Sequence, residues 1–163
     1  MHKRPDISDL PNVPAIYVLY GGKGSRKFEA YVGITDKLHR RVHQHLIKRD
    51  SSVSTGTSVV SLNPDYVTSL KWWEYPEFAK KECREAAEII AFKKFNPVLR
   101  SRGNHSTQAK ELENDATFKK NIEELLEKPP TNQKEFPDFQ DLLEKLNNLE
   151  REVEDLKRRN AQR

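Results

Sequence analysis

The chain has 163 residues, 35% of them hydrophobic and 33% charged, which allows one ordinary domain with appendages and no second domain of similar size. Its formal net charge of +4 suits an acidic partner without requiring one. A single cysteine, Cys83, excludes a disulfide framework and a cysteine-rich metal site, and no run reaches membrane-spanning length.

The amino-terminal MHKRPDISDLP lacks the apolar core of a signal peptide, so a reducing, cytoplasmic setting is expected. Residues 13–20 (VPAIYVLY) are dense in β-branched and aromatic side chains and predict a strand covered on both faces. GGKGSRK (21–27) is turn chemistry, and FEAYVGI (28–34) predicts the returning strand of a hairpin. Asp36 is the expected N-cap of a helix over 37–49, with Leu38, Val42 and Leu46 on one stripe. The Ser/Thr-rich segment 49–64 predicts a long loop, and YVTSLKWWEY (66–75) a third strand. Residues 79–95 predict a helix ending before Pro97, residues 107–128 a helical region, and PPTNQKEFP a linker at 129–137. A charged helix follows over 138–163.

The hairpin and the helix after it carry the first candidates. Tyr17 ends PAIY on one strand and Tyr31 begins YVG on the strand across the hairpin, although buried strand tyrosines are often simple core aromatics. On a helical wheel Arg41 and His45 border the apolar stripe, whereas Arg40 turns toward solvent. An arginine held at the edge of a buried stripe can aim its guanidinium at a phosphate; the competing reading is a solvated basic face. His39 and His43 share an i, i+4 spacing that can bind zinc, but no third ligand is apparent and exposed histidines are the simpler reading. In the helix over 79–95, Glu88 projects between Phe92 and Phe95, and Glu85 projects toward Glu82 and Lys93. A carboxylate among aromatics is costly unless paired or metal-bound, which makes Glu88 the better functional candidate and leaves a structural salt bridge as the alternative. Trp72 and Trp73 point to opposite faces of a strand, one toward a core and one toward a rim.

In order and spacing these pieces resemble the GIY-YIG nuclease superfamily. AIY (15–17) stands for its first motif, with Ala15 replacing glycine, and YVG (31–33) for its second. Arg41 stands at the family arginine, His45 one turn on, and Glu88 at the family glutamate with Pro97 following. Arg100 stands where an asparagine is common, and Asn104 is the available substitute. The resemblance covers residues 12–104. It implies an α/β (α+β) fold with a small three-stranded antiparallel sheet flanked by helices, followed by an accessory helical region (105–128), the linker and a coiled-coil helix (138–163). It also implies a metal-dependent DNA endonuclease, nucleoid-associated if bacterial, with Tyr17, Tyr31, Arg41, His45 and Glu88 as catalytic residues. Glu88 would hold Mg²⁺ or Mn²⁺, and Tyr17 would be the general base or water-positioner. Lys23, Arg26, Lys27, Arg100, Arg102 and Asn104 would contact DNA. The rival readings are a nucleic-acid-binding module of the same fold without catalysis, and a coiled-coil scaffold for a protein partner.

In the last helix Phe139, Leu142, Leu146, Leu149, Val153, Leu156 and Asn160 follow alternating spacings of three and four, an a/d heptad seam. The seam predicts a homodimer through residues 138–163, with a helix folded back on its own domain, or left as a solvated tail, as the alternatives.

Overall fold

The strand β1 (Ala15–Gly21, AIYVLYG) is buried at every position, as its unbroken apolar run requires. It pairs antiparallel with β2 (Phe28–Thr35) on one side and with β5 (Val67–Trp73) on the other, so it is central to the sheet. The computed structural model describes residues 5–50, 52–54, 59–101 and 103–162. The turn between β1 and β2 depends on Gly22, which has φ +75°; a Cβ there would lie 2.2 Å from the Arg26 carbonyl oxygen.

The sheet is larger than the three strands expected. It has seven strands in the order β4-β3-β6-β2-β1-β5-β7, with β3 (Ser52–Ser54), β4 (Val59–Ser61), β6 (Leu99–Arg100) and β7 (Asn132–Glu135) added outside the central three. The pairing of β2 with β6 is parallel, which makes the sheet mixed. The segment expected as a loop at 49–64 thus supplies the β3–β4 hairpin. The segment expected as a linker at 129–137 contains β7, which pairs with β5 from Ser69↔Glu135 to Trp72↔Asn132. The sequence of β7, NQKE, has no apolar alternation because an edge strand can be fixed by its backbone hydrogen bonds and by neighbouring anchors. Here the anchor is Phe136, which is buried and donates its backbone N–H to the Thr68 carbonyl at 2.8 Å.

Helices cover both faces. On one face Ile16, Val18, Tyr20, Val32 and Trp73 pack against α2 (Lys81–Phe95), α3 (Thr107–Asn114) and α4 (Ala116–Glu127). The region expected as accessory, 105–128, therefore shares the main core through Ala109, Phe118, Ile122 and Leu126. It is two helices because Asp115 caps the second, accepting the Phe118 N–H at 2.7 Å. On the other face Tyr17, Leu19, Tyr31 and Trp72 pack against α1 (Leu38–His43), Ile7, Leu10 and Phe136. Trp72 and Trp73 do lie on opposite faces, but both indoles are core.

Asp36 does not cap α1. The first helical N–H groups, those of Leu38 and His39, donate to the Val13 and Pro11 carbonyls at 3.0 and 3.1 Å, so the incoming chain replaces a side-chain cap. The helix α2 ends where expected, with Asn96 at φ 45° before Pro97. The last helix, α5 (Phe139–Ala161), starts at a capping box in which Asp138 and Asp141 accept each other's backbone N–H. No described helix is long and apolar enough to cross a membrane.

If β7 is held by Phe136 as described, Phe136→Ala should lower stability by about 3 kcal/mol in urea unfolding. A loss below about 0.5 kcal/mol, the usual range of a surface substitution, would show that residues 129–137 are a linker after all.

Candidate functional site

Tyr17 is fully buried, and its hydroxyl lies 2.7 Å from His45 Nε2. His45 reaches it because the helix after α1 widens into one π turn over Gln44–Lys48. The same stretch of chain carries Arg41, whose guanidinium lies against the Tyr17 and Tyr31 hydroxyls and donates to Gln44 Oε1 at 3.0 Å. The rings of Tyr17 and Tyr31 are 6.0 Å apart, and that of His45 meets Tyr31 edge-on at 5.0 Å. Room for this cluster comes from Gly33, opposite Tyr17 in the hairpin. A Cβ at Gly33 would lie 2.6 Å from the Tyr17 hydroxyl and 2.7 Å from the Tyr31 ring.

On β2 the strand β6 pairs with Tyr31 and Val32, and among the described residues no strand continues on that side alongside Gly33 and Ile34. A cavity of about 640 Å³ lies beside this end of β2. Tyr31, Ile34, Arg41, Gln44, Glu85 and Glu88 line it, together with Asp50, Ser101, Asn104 and His105. The helix bearing Glu88 packs on the face opposite Tyr17, yet Glu88 faces the same cavity as Tyr31 and Arg41. Tyr17 and His45 do not line the cavity; they sit behind Tyr31 and Arg41.

Glu88 is buried and polar-partnered. Its Oε1 accepts from Ser101 Oγ at 2.9 Å, and its Oε2 is 2.8 Å from His105 Nε2. Glu85, expected on the polar side, is buried as well. Burial works to raise its carboxyl, but hydrogen bonds from the Ser106 backbone and hydroxyl, with help from Lys81, leave it below the usual carboxylate range. Burial drives the Tyr17 and Tyr31 hydroxyls above their ordinary pKa, Tyr17 the further, while Arg41 opposes both shifts. Burial, then the Arg41 charge, pushes His45 down to about 3.

A hard divalent ion suits this donor set. Glu88 uses one hydrogen bond per oxygen out of about four lone-pair positions, and Asp50 and Glu85 line the same cavity. Among the described residues no three His, Cys, Asp or Glu side chains cluster as a metal cage. An ion that keeps several waters needs only one or two carboxylates. The His39 and His43 rings lie 6.3 Å apart, with no third ligand among the described residues.

The basic residues expected to meet DNA are scattered. Lys23 pairs with Asp138 and Asp141, both at 2.7 Å, and Lys27 with Glu135 at 3.3 Å, so the turn lysines hold the carboxy-terminal segment. They lie at the far end of the hairpin from the cavity, on the order of 15–20 Å along the strands. Arg26 is exposed in that same turn. Arg100 stacks on the Phe92 ring at 5.1 Å, Asn104 is exposed at the cavity, and Arg102 lies outside the described residues. Ser101, His105 and Glu85 were missed by sequence reasoning. The helix-start signal of Ser106 was present, but the reach of His105 back to Glu88 is a tertiary contact with no local signature.

No family model, curated protein or solved structure matches this chain.

Two outcomes follow. Gly33→Ala should cost roughly 1–3 kcal/mol, because two ring systems must move; an unchanged urea midpoint would contradict the close approach. His45 stays neutral when folded yet protonates below its ordinary value of 6.5 when unfolded. Its contribution is therefore intact above pH 6.5 and is lost as pH falls toward 3. Between about pH 7.5 and 5.5 the loss should be about 1.4 kcal/mol, and His45→Gln should lack that part of the slope.

Proposed function

We propose that the chain is a divalent-metal-dependent DNA endonuclease with a GIY-YIG-like site. The supporting observation is that Tyr31, Arg41 and Glu88 meet at one cavity although they come from a strand and from helices on opposite faces. Phosphodiester hydrolysis asks for an oriented water, neutralised phosphate oxygens and a stabilised leaving oxygen. In this reading Arg41, fixed by Tyr17, Tyr31 and Gln44, clamps the scissile phosphate. Tyr31, the phenol lining the cavity, orients the attacking water. Tyr17, expected as the general base or water-positioner, in this reading fixes Arg41 and His45 from behind. Glu88 holds Mg²⁺ or Mn²⁺, which when bound supplies Lewis-acid polarisation and charge at the leaving oxygen. Ser101 and His105 hold the Glu88 carboxylate toward the cavity, and Asn104 stands where a DNA strand would pass. A second reading, a DNA-binding module without cleavage, draws on the fact that both Glu88 oxygens already have partners.

Supercoiled plasmid incubated with the full chain and Mg²⁺ or Mn²⁺ tests the choice. Nicking is expected. Glu88→Gln should abolish it while leaving DNA affinity nearly unchanged. Arg41→Ala should slow it on the order of a hundred-fold or more, and the solvent-facing Arg40→Ala should be mild. Salt-sensitive binding with no nicking in either metal would support the binding module. Nicking that survives Glu88→Gln at full rate would remove Glu88 from the chemistry.

A further inference from the structure

The helix α5 leaves an apolar stripe without a partner. Leu142, Leu143, Leu146, Leu149, Val153 and Leu156 are each between 45 and 58% exposed on a helix of 23 residues. Isolated surface leucines are ordinary, but six in a row along one face are not. The body of the protein does not cover them. The helix is tied to it at its first turn, where Lys23 bridges Asp138 and Asp141, and Lys23 holds the Asp138 carboxyl down to about 2.

We propose that this stripe pairs with the same stripe of a second copy of the chain, as a parallel two-stranded coiled coil. The spacing sets the register: Leu146, Val153 and Asn160 fall at a, and Leu142, Leu149 and Leu156 at d. Leucine at d with a β-branched residue and a polar asparagine at a favours two strands, and asparagine pairs best with itself in register. The flanking charges select the orientation. In a parallel pair Lys145 at g faces Glu150 at e of the partner helix, and Glu152 at g faces Lys157 at e. Each attraction occurs twice by symmetry. Among the described residues none of these four side chains has an ion pair within its own helix, whereas Glu154 and Arg158 do. These four charges are therefore available to a partner helix. From Leu142 to Asn160 the seam is about 27 Å long at 1.5 Å per residue, so the dimer should be modest and concentration-dependent.

The inference stands apart from the nuclease reading, because its readout is mass rather than cleavage. Sedimentation equilibrium of the full chain at tens of micromolar should give twice the 19.0 kDa chain mass. Leu149→Lys, at an exposed position that the fold does not use, should return the monomer. Lys145→Glu should weaken the dimer about ten-fold or more by placing Glu against Glu twice, and adding Glu150→Lys should restore it. An antiparallel pair does not place these two positions opposite each other, so failure of the rescue would overturn the parallel orientation. A full chain that stays monomeric at these concentrations would overturn the dimer, as would a dimer indifferent to Leu149→Lys. In the first case the stripe belongs to a different partner.

Discussion

A phenol hydroxyl in the dry centre of a sheet must find a partner, and much of this site is arranged around that need. Tyr17 lies on a strand with no exposed residue, so water cannot satisfy it. His45 supplies the partner, and it can do so because the helix after β2 widens into a π turn. The widening leaves Leu38, Val42 and Leu46 in the core. Arg41, on the preceding turns of α1, lies against both tyrosines. Gly33 is the matching concession across the hairpin, since any side chain there would occupy the space of the Tyr17 hydroxyl.

The second constraint is the shortness of β6. Two paired residues extend the sheet past Tyr31 and Val32 and then stop, which leaves the end of β2 uncovered. Groups from both faces can meet there: Arg41 from the α1 side and Glu88 from α2. After β6, Ser101, Gly103, Asn104 and His105 line the cavity, with Ser101 and His105 on Glu88, and Ser106 bonds Glu85. Ser106 does two jobs, since its hydroxyl also accepts the Ala109 N–H at the start of α3. The position of Glu85 is thereby coupled to the packing of α3 and α4.

The central hairpin, the third strand and the helix ends at Asn96 and Phe139 were legible because each rests on local chemistry: β-branched runs, turn glycines and capping residues. The wheel that separated Arg41 from Arg40 worked for the same reason, and Arg40 is indeed exposed. What was illegible is held by tertiary contacts. β7 has a polar sequence and exists through backbone pairing with β5 and the burial of Phe136. α1 lacks its Asp36 cap because Pro11 and Val13 satisfy the same N–H groups from outside. Glu85 was misplaced because a wheel reads neighbours on its own helix and is blind to Ser106. Lys23 and Lys27 suggested DNA because their acidic partners are more than a hundred residues away in sequence.

The protons in the cluster constrain any chemistry it performs. Burial raises Tyr17 and lowers His45, so both groups are neutral at their 2.7 Å contact. In the tautomer whose Nε2 accepts from Tyr17, the imidazole proton sits on Nδ1, the ring atom with no hydrogen-bond partner among the described residues. Tyr31 is raised less decisively: after burial, Arg41 lowers it and Glu88 raises it. A phosphate drawn to Arg41 would cancel part of that lowering and hold both phenols more firmly protonated. Glu88 adds to burial in opposing ionisation of Tyr31. Burial, the largest cause for both phenols, keeps them protonated, which suits tyrosines that orient their neighbours by hydrogen bonding.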